Sequence, residues 1–147
     1  MPGCDAGNGG SIPPDVIVTA QRPDLVVINR NLKSVIILEL TCPWDSNVDR
    51  SHEFKMDKYA ALVKDLSAEF KTELYCVEVS VRGQLSKSNR SRLKSFLLKT
   101  TGLSRSYCIN LLNSVSKAAL LSSFSIFTAR EDILWSISTN LFVSMKS

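Results

Sequence analysis

The spacing of hydrophobic and polar positions changes several times along the chain, and each change predicts an element. Asp24-Leu-Val-Val-Ile-Asn29 and Ser34-Val-Ile-Ile-Leu-Glu-Leu-Thr41 are apolar runs rich in β-branched residues, which predicts two strands. Arg30-Asn31-Leu32-Lys33 supplies the turn between them, and Pro43 ends the second run because proline has no N–H for a ladder. From about Asp49 to Phe70 the period becomes helical. Phe54, Lys58, Tyr59, Leu62, Val63, Leu66 and Phe70 are read as one face. A third main strand is expected near Glu73 to Val81, where Leu74, Cys76, Val77 and Val79 are interspersed with polar residues and Gly83 breaks the pattern. Two more helices follow, about Lys87 to Lys99 and Ser106 to Arg130, separated by Gly102. Val16-Ile17-Val18 reads as a short additional strand. Strands, helix, strand, helices in that order predict an α/β (α+β) class, with a small mixed sheet flanked by helices and helices at the C-terminal end.

Residues 1–14 are rich in Gly and Pro, lack any period and are expected to form a flexible leader. The GNGG at 7–10 is no phosphate loop, because no strand precedes it and no GK[ST] follows. One domain over 15–135 and a tail over 136–147 complete the expected organisation. A chain of 147 residues that is 44% hydrophobic has room for one such core and little more. No basic n-region and no long uncharged apolar run is present, so a soluble, intracellular protein is expected, with no membrane partner. The four cysteines are widely spaced and only one histidine, His52, is available, which argues against structural zinc and for free thiols.

Charge adds an asymmetry. Residues 1–78 carry eight Lys/Arg against twelve Asp/Glu, and residues 79–147 carry ten against two; the balances of −4 and +8 make up the net +4. No acidic residue lies between Glu78 and Glu131. A basic half of this kind suits a polyanion partner, and a solvated face that keeps the protein soluble fits equally well.

The first hairpin carries the candidate chemistry. If Asn29 opposes Ser34, Asp24 falls opposite Glu39, with Cβ atoms ~5 Å apart. Val26/Ile37 and Ile28/Val35 extend the same face, so the two acids share an otherwise apolar surface. Two carboxylates so placed repel unless something positive lies between them, and a divalent metal ion is the economical solution. Solvated acids at strand ends are the bland alternative, and a one-residue slip would separate the pair. Lys58, between Phe54 and Leu62 on the helical stripe, is either a snorkelling stem or an ammonium aimed at the acids. His52 reads as a surface residue near the helix start. Trp44 reads as a base-stacking ring or a hydrophobic plug over the helix.

Arg22-Pro23-Asp24, fourteen intervening residues and Glu39-Leu40-Thr41 together resemble the PD-(D/E)xK nuclease signature. More narrowly, with Thr41-Cys42-Pro43-Trp44-Asp45, Lys55-Met56-Asp57-Lys58-Tyr59 and the run from Lys117 to Arg130, residues 12–135 resemble one particular domain. It is the restriction-like endonuclease domain at the C-terminus of site-specific non-LTR retrotransposon polyproteins.

The resemblance implies a restriction-endonuclease-like core that nicks DNA, leaving a 3′-hydroxyl able to prime reverse transcription. Asp24 and Glu39 would hold Mg²⁺ (or Mn²⁺), with the Leu40 carbonyl as a third candidate ligand. Thr41 stands where the family's lysine usually follows the glutamate. The family sometimes brings that lysine from the next helix. Lys58 is then the expected catalytic lysine and Lys55 its substitute, since they lie about 40° and about 100° around the helix from Phe54. Arg22, Lys87, Arg90, Arg92 and Lys94 are the expected phosphate contacts. The expected partners are DNA and a reverse transcriptase domain, in a nuclear setting, with no small-molecule cofactor. Thr41 and the lack of an acid on a preceding helix motivate the alternative, a DNA-binding or interaction module of retroelement origin that no longer cleaves.

Overall fold

The computed structural model describes residues 4–6, as backbone, and 11–129. It has an α/β (α+β) fold around one mixed sheet. Four strands, β1 (Cys4–Ala6), β2 (Leu25–Asn29), β3 (Ser34–Thr41) and β4 (Lys71–Glu78), lie in the order β1-β2-β3-β4. The β1-β2 and β2-β3 pairs are antiparallel and β3-β4 is parallel. Parallel strands need a long crossover, and α1 (Val48–Leu66) provides it between β3 and β4. Helices α2 (Lys87–Thr101) and α3 (Arg105–Ala129) follow β4.

The hairpin has the expected register, from Asn29↔Ser34 to Leu25↔Leu38. Its turn is made locally. Asn29 Oδ1 accepts the Leu32 N–H at 3.0 Å, and Lys33 takes a left-handed conformation with φ 46°. Alternation then divides the sheet into two faces. Val26, Ile28, Val35 and Ile37 pack with Tyr59, Leu62 and Leu66 of α1. On the other face Leu38 and Val77 pack with Leu93 and Phe96 of α2 and Leu112 of α3.

Several expectations need correction. Val16-Ile17-Val18 forms no strand: it follows a turn in which Val16 N–H bonds the Pro13 carbonyl, and Val18 is 88% exposed. The leader contributes the edge strand β1 and the buried Ile12. Helix α1 stops at Leu66, where the bonding tightens to the i→i−3 turns of Ala68 N–H to Asp65 O and Glu69 N–H to Leu66 O. Strand β4 ends at Glu78, and two single bonds, Val79 N–H to Thr41 O and Val81 N–H to Pro43 O, carry the pairing a little further. The sequence motif at 7–10, Arg130 and the tail at 136–147 lie outside the described residues.

Gly83 turns the chain back toward α3 with φ +75°. A Cβ there would meet the Ser116 carbonyl oxygen at 2.4 Å, so only glycine permits this approach. Beyond it, Leu120, Phe124 and Phe127 of α3 and Trp44 remain exposed around an apolar groove of about 310 Å³. No described helix is long and apolar enough to cross a membrane.

Candidate active site

The start of β2 and the ends of β3 and β4 lie at one end of the sheet. On the α1 side of that end the apolar face gives way to Asp24, Glu39, Thr41 and Glu78. Glu39 and Glu78 are 4% and 1% exposed, whereas Asp24 is exposed. Asp24 and Glu39 continue the hairpin register, each side chain accepting a backbone N–H from the opposite strand segment. The Asp24 N–H donates to Glu39 Oε2 at 3.2 Å, and the Leu40 N–H donates to Asp24 Oδ2 at 2.7 Å. In that register Leu40 would pair with Pro23, which has no N–H for the Leu40 carbonyl.

Glu39 is buried because it is satisfied. Lys55 Nζ donates to its Oε1, and the Tyr59 hydroxyl donates to its Oε2 at 3.0 Å. Burial, reinforced by the neighbouring Glu39 carboxylate, pushes the Tyr59 hydroxyl well above the ordinary phenol range. Lys58 does not reach the acids; its ammonium lies 3.1 Å from Tyr59 Oη and over the same ring. Lys55, the substitute, is thus the lysine at Glu39. The expected choice fails because Phe54 was the wrong reference: it is 66% exposed. Phe54 lies about 140° from Tyr59 around the helix, whereas Lys55 lies about 40° from Tyr59 and about 20° from Leu62.

A second buried pair adjoins the first. His52, one turn before Lys55 on α1, places Nδ1 3.1 and 3.2 Å from the two oxygens of Glu78. The Glu78 N–H donates to Asn89 Oδ1 at 3.3 Å, and the same oxygen accepts from Arg92 at 2.9 Å. Cys76, beside Glu39 in the parallel register, sits near both acids. Burial, with the carboxylates of Glu78 and Glu39 adding to it, pushes its thiol up to about 11. The Glu78 network was not expected from sequence, although a helical wheel puts His52 about 20° from Tyr59.

The basic residues divide. Arg22 is exposed next to Asp24 and gives its carbonyl to the Tyr59 hydroxyl at 3.3 Å. Lys87 is exposed at the first turn of α2, which Ser86 caps by accepting the Asn89 N–H; Arg90 and Lys94 are half-buried. Arg92 is half-buried and donates to Asn89 Oδ1, the oxygen that also accepts the Glu78 N–H. Trp44 is 69% exposed and lines the groove against α3, so it is no plug over α1. Asp45, one residue on, pairs with Arg82, and the Ser80 hydroxyl followed by that guanidinium holds its carboxyl below the usual range.

The donors around Asp24 are all oxygen: the exposed Asp24 carboxylate, Glu39 and the Leu40 carbonyl. They fit Mg²⁺ or Mn²⁺, which bind through one or two carboxylates and complete their shells with water and substrate phosphate. No cluster of three His, Cys, Asp or Glu suited to an ion occurs among the described residues. A metal here would therefore depend on water and phosphate. Compared with protein families, curated proteins and solved structures, the chain matches none.

Proposed function

We propose that this chain is a metal-dependent DNA endonuclease domain of the retrotransposon restriction-like type, hydrolysing a phosphodiester to nick target DNA. The observation that carries the reading is the join of Asp24 to Glu39 across the hairpin with the Lys55 ammonium on Glu39. Two carboxylates beside a lysine, at the strand end where the basic α2 begins, are what phosphodiester hydrolysis needs.

Asp24 and Glu39 would hold the Mg²⁺ ion, which supplies a water of lowered pKa and a counter-charge for the phosphoryl oxygens. Asp24 is kept in place by the Leu40 amide and Glu39 by the Tyr59 hydroxyl, so both carboxylates are held at the site by the fold itself. The Lys55 ammonium stabilises negative charge as it builds on the phosphoryl group. Arg22, Lys87, Arg90 and Lys94 hold the DNA backbone and set its position along the site. The reverse transcriptase partner and the nuclear setting belong to the same reading and rest on the sequence resemblance alone.

One observation favours the alternative, a DNA-binding module without cleavage. Both Glu39 oxygens are already taken, Oε1 by Lys55 and Oε2 by Tyr59 and the Asp24 N–H. A metal on Glu39 must share an oxygen with one of them. Incubating supercoiled plasmid with the protein and Mg²⁺ or Mn²⁺, beside Asp24→Ala, separates the two. Metal-dependent nicking that disappears in Asp24→Ala is the expected result. Salt-sensitive binding with no nicking in either metal would leave the binding module, and nicking retained by Asp24→Ala would refute the assigned site.

A further inference from the structure

The endonuclease reading uses Asp24, Glu39 and Lys55 but leaves unused a buried carboxylate with a histidine on it. Glu78 is 1% exposed, and both its oxygens face His52 Nδ1. Burying a carboxylate is costly unless it is paired, and this one is paired with a ring that is itself 25% exposed. Between a carboxylate and an imidazole the hydrogen sits on Nδ1, so Glu78 fixes the tautomer and the ring plane. The other nitrogen, Nε2, has no partner among the described residues and is not among the buried unpartnered atoms, so it faces solvent. A histidine anchored at Nδ1 by a buried acid and open at Nε2 is arranged for proton transfer.

Position assigns the direction of transfer. His52 and Lys55 share the buried stripe of α1 and are about 4.5 Å apart along its axis. In an in-line displacement the attacking and leaving oxygens lie on opposite sides of the phosphorus. With Asp24 at the start of β2 and Glu39 on β3 holding the metal and its water, His52 stands on Glu78 of β4, on the far side of Glu39 from Asp24. The charged and titratable groups around the pair are Lys55 on its own helix, Glu39 on β3, Cys76 on β4, Arg92 on α2, and Asp45, which lines the cleft beside Glu78.

We propose that His52, oriented by Glu78 and acting in its imidazolium form, is the proton donor to the leaving 3′ oxygen of the cleaved phosphodiester, an inference that rests on the endonuclease reading. The oxygen of water bonds to phosphorus as the P–O3′ bond breaks. The 3′ oxygen takes the Nε2 proton of the imidazolium, which leaves the neutral imidazole with its hydrogen on Nδ1 against Glu78; the proton that the attacking water releases then restores the imidazolium. The products are a 5′-phosphate and a 3′-hydroxyl.

His52→Asn is the discriminating variant, because its amide N–H still serves Glu78 while Nε2 is gone. After the nick site is mapped, matched duplexes carry either the ordinary linkage or a sulfur in place of the bridging 3′ oxygen at that site. A thiolate leaves without help. The variant should therefore lose about 10²-fold or more in rate on oxygen and stay within about threefold of wild type on sulfur. Equal loss on both linkages, or no loss on either, overturns the proposal while the endonuclease reading stands. Absence of nicking by wild type on the oxygen linkage overturns both. A second measurement needs neither metal nor turnover. His52 is the only histidine, so a ¹⁵N-labelled imidazole gives one pair of ring-nitrogen signals. Adding duplex DNA to metal-free protein should move the Nε2 signal while Nδ1 stays on Glu78. An Nε2 signal indifferent to DNA overturns the assignment.

Discussion

Lys55→Met should be among the most damaging surface-adjacent substitutions in this protein, and Lys58→Met nearly silent. Methionine keeps the apolar stem of lysine and removes only the ammonium. At position 55 that leaves Glu39, whose side chain is 5% exposed, without its cation. Removing one partner of a buried ion pair costs about 3–5 kcal/mol. Glu39 keeps the Tyr59 hydroxyl and the Asp24 N–H, so the lower end, about 3 kcal/mol, is the expected loss. For a chain of this length that lowers Tm by roughly 10 °C. The exposed Lys58 loses one hydrogen bond and a ring contact with Tyr59, about 1 kcal/mol or less. Urea unfolding of the two variants side by side measures both. Glu39→Gln added to Lys55→Met should recover part of the loss, because a neutral amide needs no counter-charge. Mg²⁺ or Mn²⁺ should stabilise Lys55→Met more than wild type if a divalent cation takes the place of the ammonium. Equal losses in Lys55→Met and Lys58→Met, or a larger loss in the second, would refute this account of Glu39.

Three other substitutions test other parts of the structure. Gly83→Ala should destabilise by about 3 kcal/mol, since the added Cβ meets the Ser116 carbonyl as well as an unfavourable φ; Gly102→Ala, with φ +64° and open space, should cost only about 1 kcal/mol. Thermal unfolding of the pair checks the difference, and equal costs would mean that the Gly83 loop does not approach α3 this closely. The Cys76 thiol titrates higher in the fold than in the unfolded chain, so the unfolded state loses its proton first and stability falls as pH rises from about 9 to about 11. Cys76→Ala should flatten that alkaline slope in urea titrations, and an unchanged slope would sink the claim. Among Cys42, Cys76 and Cys108, iodoacetamide at pH 8 should label the exposed Cys42 in the native state and the two buried thiols only after unfolding, as peptide mass spectrometry can read.

The hairpin was legible because its determinants are local. Four consecutive apolar positions in each strand and a short turn between them leave one register that buries Val26, Ile28, Val35 and Ile37 together. That register alone brings Asp24 to Glu39. The phase of α1 was harder, because Phe54 is large and apolar and drew the stripe toward itself. The helix resolves the conflict by burying Tyr59, Leu62 and Leu66 and leaving Phe54 in solvent. Taking those three as the reference would have put Lys55 and His52 on the buried face from sequence alone. The edge strand β1 carried no such signal: three residues, Cys4–Ala6, are too few to show a period.

The pairing of His52 with Glu78 belongs to a different class, because it depends on the parallel register of β3 with β4. That register is set by how α1 packs down on both strands after a crossover of some thirty residues, and no local pattern reports it. Once Glu39 lies beside Cys76, Glu78 falls two residues beyond on the same face, under the first turns of α1. The side chains that α1 presents there are His52 and Lys55, and each meets one of the two buried acids. Shifting β4 by one residue would turn Glu78 to the opposite face, among Leu38, Leu93 and Phe96, away from His52. The two ion pairs therefore help fix the register that makes them, and the polar end of the sheet specifies the alignment of its apolar remainder.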